Sequence, residues 1–299
     1  MGASSFEAFT TVQLIYLIAA LGHYLPLSMR QLDIGIAGYF AIGAYTSAYL
    51  TRDHNFSFEL ALAAGMLLAA AGALLVDSLA TRVRLTGFAY AIFSLGFAES
   101  MRIILNNIET LGSSGGFVGI QPYTTFGLVI GITSVVLVGF WWLDRTRLGH
   151  LRTAIADDEF IVPVFGVPLV ATKLTIFALG GALGGLAGGL YAHYVLFIRP
   201  DDFGFALLIS LQLPMVFGGL DRFYGAVIGI LVLGYLPEFI RGLEQYRLIF
   251  VAAVTLLVII LRPSGLITNS TIVGAKKWLH QRFGRSKYTE KQRPSEVVQ

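Results

Sequence analysis

Apolar residues run through this chain in long stretches, and its polar and charged positions fall mostly between them. Nine such stretches occur, at residues 6–25, 34–50, 58–80, 88–105, 126–143, 174–197, 203–220, 223–240 and 248–261. A helix that crosses the hydrocarbon of a bilayer needs about 20 mostly apolar residues. Most of the stretches approach that length, which predicts an all-α, polytopic transmembrane helical bundle of about nine spans, within bounds of eight to ten. The second and last stretches are short, and the second carries Gly35, Gly38 and Gly43, so a helix there could be broken or tilted as well as continuous.

Composition agrees with that pattern. Of 299 residues, 56% are hydrophobic and 13% charged, with a mean hydropathy of +0.73. A soluble domain carries about 25% charged residues. The chain has 0 cysteines, which excludes disulfides, cysteine-ligated zinc, iron–sulfur clusters and a thiol nucleophile. The first apolar stretch lacks a basic flank and a small-residue cleavage site, so it reads as a retained span rather than a signal peptide. The segment after Ser286, KYTEKQRPSEVVQ, is polar and predicts disorder.

The net charge of +3 and pI near 9.1 gain meaning from their distribution. Basic residues mark cytoplasmic loops. Arg262, Lys276, Lys277, Arg282, Arg285, Lys287, Lys291 and Arg293 crowd the C-terminal tail. With that tail inside, the loops holding Arg30, Arg82 and Arg84, Arg145 through Lys173, and Arg222 are also inside. Arg52, Arg199 and the 241–247 loop fall outside, with the segment 106–125, which has no Lys or Arg. The N-terminus is then periplasmic and the C-terminus cytoplasmic. Topology and lipid headgroups explain the basic surplus without nucleic acid. The chain divides into a transmembrane domain, residues 1–267, with its largest cytoplasmic loop at 144–173, and a basic tail, 268–299.

That loop holds RLGHLRTAIADDEFIVPVFGVPLVATK and predicts a short helix over 148–161, limited by Pro163 and Pro168. A few residues suffice to join two spans, so a charged helix here is either a docking element for a cytoplasmic partner or a solvated connector. Glu99 and Arg102 lie three apart in FAYAIFSLGFAESMRIILNN, on one helix face. They are a polar lining of a pathway or, more simply, an ion pair that fixes packing. Gly180, Gly184 and Gly188 repeat every four residues beside Gly181, Gly185 and Gly189, making smooth stripes for close helix packing. A phosphate loop needs Lys-Ser or Lys-Thr after its glycines, whereas Leu190 and Tyr191 follow here. GSSGGFVGIQP in the outer segment is a flexible docking loop or a turn-rich connector. The five histidines, His23, His54, His150, His193 and His280, show no metal-ligand spacing, and no catalytic constellation is present.

Several stretches, in order, resemble one family. They are QLDIGIAGYFAIGAYTSAYL, FAYAIFSLGFAESMRIILNN with GGFVGIQP, LGHLRTAIADDEFIVPVFGV, KLTIFALGGALGGLAGGLYAHY, VFGGLDRFYGAVIGILVLGYLPEFI and LRPSGLI. Over about residues 14–266 the chain resembles the permease subunits of branched-chain amino acid ABC importers, the LivM/LivH type, which includes urea and amide permeases; the ending looks more like LivM. The resemblance implies a second, LivH-like permease, two cytoplasmic ATPases that carry ATP and magnesium, a periplasmic solute-binding protein, and a place in the bacterial inner membrane. It implies no cofactor on this chain, which has no Walker sequence.

By the same resemblance, the ATPases receive the stretch 152–166, with Arg152, Asp157, Asp158, Glu159 and Gly166 as coupling residues. The pathway candidates are Gln31, Asp33, Tyr39, Tyr45, Ser94 and Glu99. Two departures stand out. Phe160, Ile161, Val162 and Pro163 follow Glu159 where the family often has small residues, and Asp33 and Ile36 replace the Ser and His of a QLSLGHA-like run. The expectation is alternating access for a hydrophobic amino acid. A self-contained channel or secondary transporter is the alternative, against which no internal repeat is evident. An intramembrane enzyme or a scaffold has weaker support.

Overall fold

A computed structural model describes residues 3–239 and positions 256, 257 and 260. Nine α-helices are described: α1 Ala3–Leu27, α2 Ile36–Asp53, α3 Phe58–Arg82, α4 Gly87–Asn107, α5 Phe126–Leu143, α6 Arg147–Asp157, α7 Leu169–Val195, α8 Phe205–Gly218 and α9 Phe223–Phe239. Four 3₁₀ turns punctuate them, at Glu109–Leu111, Ser113–Gly115, Val162–Phe165 and Pro200–Phe203. The described part is all-α, and among the described residues six segments are long and apolar enough to cross a membrane. The ninth apolar stretch and the basic tail lie outside the described residues, apart from those three positions.

Polar backbone at helix ends explains where the spans stop. Arg30 adopts a left-handed conformation at the end of α1, and the Gln31 N–H reaches back to the Pro26 carbonyl. Arg84 does the same for α3, with the Leu85 N–H on the Ala80 carbonyl. These closures satisfy carbonyls that a helix terminus leaves open. The glycine-rich second stretch is one unbroken helix. Its irregular part is the lead-in, Gln31 to Gly35.

The helix in the 144–173 loop differs from expectation: α6 ends at Asp157 and does not run to 161. The Asp158 carboxylate accepts from the N–H groups of Phe160 (2.9 Å) and Ile161 (3.4 Å). That local bond competes with helix propagation, and Pro163 then opens a 3₁₀ turn.

The core forms around α7, which packs along α1, α2 and α3. Its two glycine stripes face different neighbours. Gly180 meets Gly22 of α1, while Gly184 and Gly188 meet Ile36, Tyr39 and Phe40 of α2. Gly181 and Gly185 meet Ala69, Ala73 and Gly65 of α3. In lipid, such close backbone approach supplies van der Waals packing where water-driven association is absent. The outer faces of α3, α4 and α5 stay apolar and exposed, as at Leu67, Leu75, Ile92, Ile103, Val135 and Val138. A contiguous apolar surface of this kind marks a membrane or partner contact.

Successive helices alternate direction, so the connections gather at two ends. One end holds Arg30, Gln31, Thr86 and Gly87 beside residues 155–160, around a groove of about 450 Å³. The other holds Arg52, Arg102, Phe117, His193 and Arg199, joined by cross-connections.

Candidate functional site

At the Arg30 end, α6 is pinned to the bundle from beneath. Thr146 caps it, accepting from the Gly149 N–H at 3.4 Å. Arg152 points inward: it is 3% exposed, bonds Asp144 at 2.7 Å and lies 5.0 Å over the Tyr24 ring. The structure thus places Arg152 in the bundle and not on the loop's outer surface. Asp157 and Asp158 are exposed. Glu159 is half-buried and accepts from Lys173 Nζ (2.5 Å) and from Gln31 Nε2 (3.3 Å). It therefore ties the α6–α7 loop to the segment that leads into α2.

Beyond Glu159 the loop turns apolar side chains outward. Phe160 is 84% exposed, Val164 81% and Phe165 79%, with Ile161 also exposed. Gly166 ends the 3₁₀ turn at φ +74°, a left-handed conformation that glycine adopts without a Cβ penalty. The result is an apolar knob flanked by Asp157 and Asp158, next to the groove.

Of the pathway candidates, three converge. Asp33 is buried and takes the Gly35 N–H at 2.8 Å on Oδ1. Ser94 of α4 accepts the Ile34 N–H at 2.9 Å. The Tyr39 hydroxyl points toward Gly35 and the Asp33 carboxylate. In this connection between α1 and α2, burial pushes the Asp33 carboxyl up to about 7, while the Gly35 N–H pulls it down and Asp77 raises it further. Gln31 stands at the edge of this cluster, facing the groove.

Tyr45 and Glu99 lie elsewhere. Tyr45 packs with Phe117 and Phe203 (ring centroids 6.2 and 5.8 Å apart) near the Arg52 end. Glu99 pairs with Arg102 at 2.7 Å, and Arg102 also holds Asp201 at 2.6 Å, which joins α4 to the Pro200–Phe203 turn. Exposed pairs of this kind contribute about 0–1 kcal/mol.

The sequence reading missed several residues. Asp77 of α3 and Tyr90 of α4 are buried within electrostatic range of Asp33. The signal for Asp77 was present: an ionisable group inside an apolar span faces the protein interior and marks function by default. At the Arg52 end, the Arg52 guanidinium lies 3.6 Å over the Phe117 ring and donates to the Val118 carbonyl at 3.0 Å. Phe117 and Ile198 exchange backbone bonds at 2.8 and 3.3 Å. His193 lies 2.9 Å from the Gln121 carbonyl through Nδ1 and 3.0 Å from Ser47 Oγ through Nε2. A carbonyl only accepts, so Nδ1 carries the proton and Nε2 accepts from Ser47. These contacts strap the 108–125 segment across α2 and α7.

Comparisons with known proteins agree with this architecture. A family model described as branched-chain amino acid transport system / permease component matches residues 5–261. The high-affinity branched-chain amino acid transport system permease protein LivM of Salmonella typhimurium is 30% identical over 294 residues, covering 86% of this chain and 68% of that one. LivM of Escherichia coli K12 is 29% identical over the same coverage. The ribose import permease protein RbsC of Escherichia coli K12 is 23% identical over 82% of this chain and 80% of its own length. No solved structure gives a significant match. The chain belongs to the permease family of bacterial ABC importers typified by branched-chain amino acid permeases, multi-pass subunits of the inner membrane that have no catalytic activity and leave ATP to partner ATPases.

Proposed function

We propose that this chain moves branched-chain or other hydrophobic amino acids, or a related small solute, inward by alternating access, paired with a LivH-like permease, two ATPases and a periplasmic binding protein. The Arg30 end is cytoplasmic in this reading. Among the described residues that end holds eight Lys and Arg, against Arg52, Arg102 and Arg199 at the other. Such a bias sets orientation.

The observation that carries the reading is the apolar knob on the α6–α7 loop. Phe160, Val164 and Phe165 project from the basic end, 79–84% exposed. A clustered apolar patch with an acidic flank fits a groove on a cytoplasmic ATPase. Asp157, Asp158, Glu159 and Gly166 shape that knob, and Arg152 seats it. Glu159 hands its displacement to Gln31 and so to the Asp33 segment at the mouth of the pathway. The Arg52 end, with its strapped 108–125 segment, receives the binding protein.

The cargo assignment follows the LivM similarity, while the ribose permease similarity supports a second reading, a small polar solute. Proteoliposomes holding both permeases and both ATPases test this. Labelled leucine uptake is expected to need lumenal ATP and external binding protein, and to resist competition by ribose. Uptake without ATP contradicts the importer reading, and competition by ribose alone contradicts the amino acid assignment.

A further inference from the structure

Four buried oxygen-bearing side chains lie within electrostatic range of one another where the α1–α2 connection enters the bundle. Asp33 and Asp77 are 3% and 4% exposed, and Tyr39 and Tyr90 are equally buried. A methyl placed at Gly35 would lie 2.9 Å from Asp33 Oδ1 and 3.0 Å from the Tyr39 hydroxyl, so both groups converge on one point. Asp77 lies within electrostatic range of Asp33, and Tyr90 within range of both carboxylates and of Tyr39. Three buried atoms of this cluster have no hydrogen-bond partner: Asp77 Oδ2 and the hydroxyls of Tyr39 and Tyr90. Buried polar groups are nearly always paired, so three unpartnered oxygens in one region call for a donor.

Charge points the same way. Lys173 Nζ bonds Glu159 at 2.5 Å and lies within range of Asp77. One ammonium thus serves two carboxylates, Glu159 and Asp77. The walls are aromatic: Tyr39 packs on Phe97 (5.3 Å) and Tyr90 on Phe177 (5.7 Å). Aromatic faces attract cations. A divalent ion demands six or more oxygens, and among the described residues no group of three or more acidic or histidine side chains is placed to hold one.

We propose that Asp33, Asp77, Tyr39 and Tyr90 form a binding site for a single positive charge, either the primary ammonium group of a solute or an alkali cation. Assigning the charge to a transported solute rests on the importer reading, whereas binding itself does not. A ligand that binds only the folded state raises its unfolding temperature. The test is thermal unfolding of the full chain, purified in detergent at pH 8 and constant ionic strength in choline chloride. Isopentylammonium, sodium and uncharged isopentanol are titrated separately.

A saturable rise of several degrees with isopentylammonium is expected, with affinity reduced at least tenfold in Asp77→Asn and Asp33→Asn and severalfold in Tyr90→Phe. Glu59→Gln, exposed at the opposite end of α3, keeps the response. A rise with sodium alone supports the site and assigns it to an inorganic ion. No rise with either cation, an equal rise with isopentanol, or an undiminished rise in Asp77→Asn overturns the site. Should Asp77→Asn fail to fold, Tyr90→Phe and Asp77→Glu carry the same comparison, and unchanged affinity in both overturns it. Cation binding by a chain that recruits no ATPase would keep the site and remove the importer reading.

Discussion

Asp33 sits just ahead of α2 with its carboxyl buried and the Gly35 N–H on Oδ1. Its neighbours are Asp77 from α3, Tyr39 from α2, and Tyr90 and Ser94 from α4; Lys173 from α7 acts on Asp77. Burial raises its carboxyl to about 7, against about 3.9 in an unfolded chain. The folded state therefore holds the proton more tightly. The stability this contributes is complete below about pH 4 and is lost as pH rises through about 7. Thermal unfolding in choline buffer is expected to show a midpoint that falls from pH 5 to pH 8, with a smaller fall in Asp33→Asn. A midpoint that rises over that range contradicts the buried placement. Asp33 was legible in the sequence because it replaces a residue in a motif. Asp77 was equally legible as a lone carboxylate near the end of an apolar helix. The partners of Glu159 were not, since Gln31 lies 128 residues away and no periodicity reports such a contact.

Helix packing makes sharper demands at some glycines than at others. A methyl at Gly43 of α2 would overlap the Gly185 carbonyl of α7, and one at Gly188 would overlap the Phe40 carbonyl. Gly131 of α5 has nothing within 4 Å of such a methyl. Gly43→Ala and Gly188→Ala are expected to lose about 1–3 kcal/mol by overpacking, while Gly131→Ala is neutral or gains up to about 1 kcal/mol of helix propensity. Unfolding midpoints in detergent distinguish the two classes, and equal effects contradict the packing. The four-residue glycine repeat was readable from sequence, but which neighbour each stripe meets was not. Tyr39 and Tyr45 show the same limit. Six residues apart on α2, they differ by about 9 Å along the axis, so one joins Asp33 and the other joins Phe117 and Phe203. The end of α6 escaped prediction for a local reason: the Asp158 side chain captures two N–H groups just past the helix.

Across the whole molecule, apolar stretches located every described helix of the bundle, because a bilayer forces backbone groups into helices. Their arrangement around α7 came from the structure alone. The chain has 0 cysteines, so single-cysteine labelling reports orientation without background. Val164→Cys on the α6–α7 loop is expected to react with an impermeant maleimide only in inside-out vesicles, and Val118→Cys in the 108–125 segment only in right-side-out vesicles; the reverse pattern contradicts the orientation. The central claim is that the knob beside Glu159 takes the force of ATP hydrolysis. Its most direct measure is the amount of partner ATPase retained when the tagged permease pair is purified. Wild-type chain is expected to retain the ATPases stoichiometrically, whereas Phe160→Glu and Phe165→Glu, both exposed, lose at least tenfold while still folding with unchanged unfolding midpoints. Full retention by both variants would contradict it.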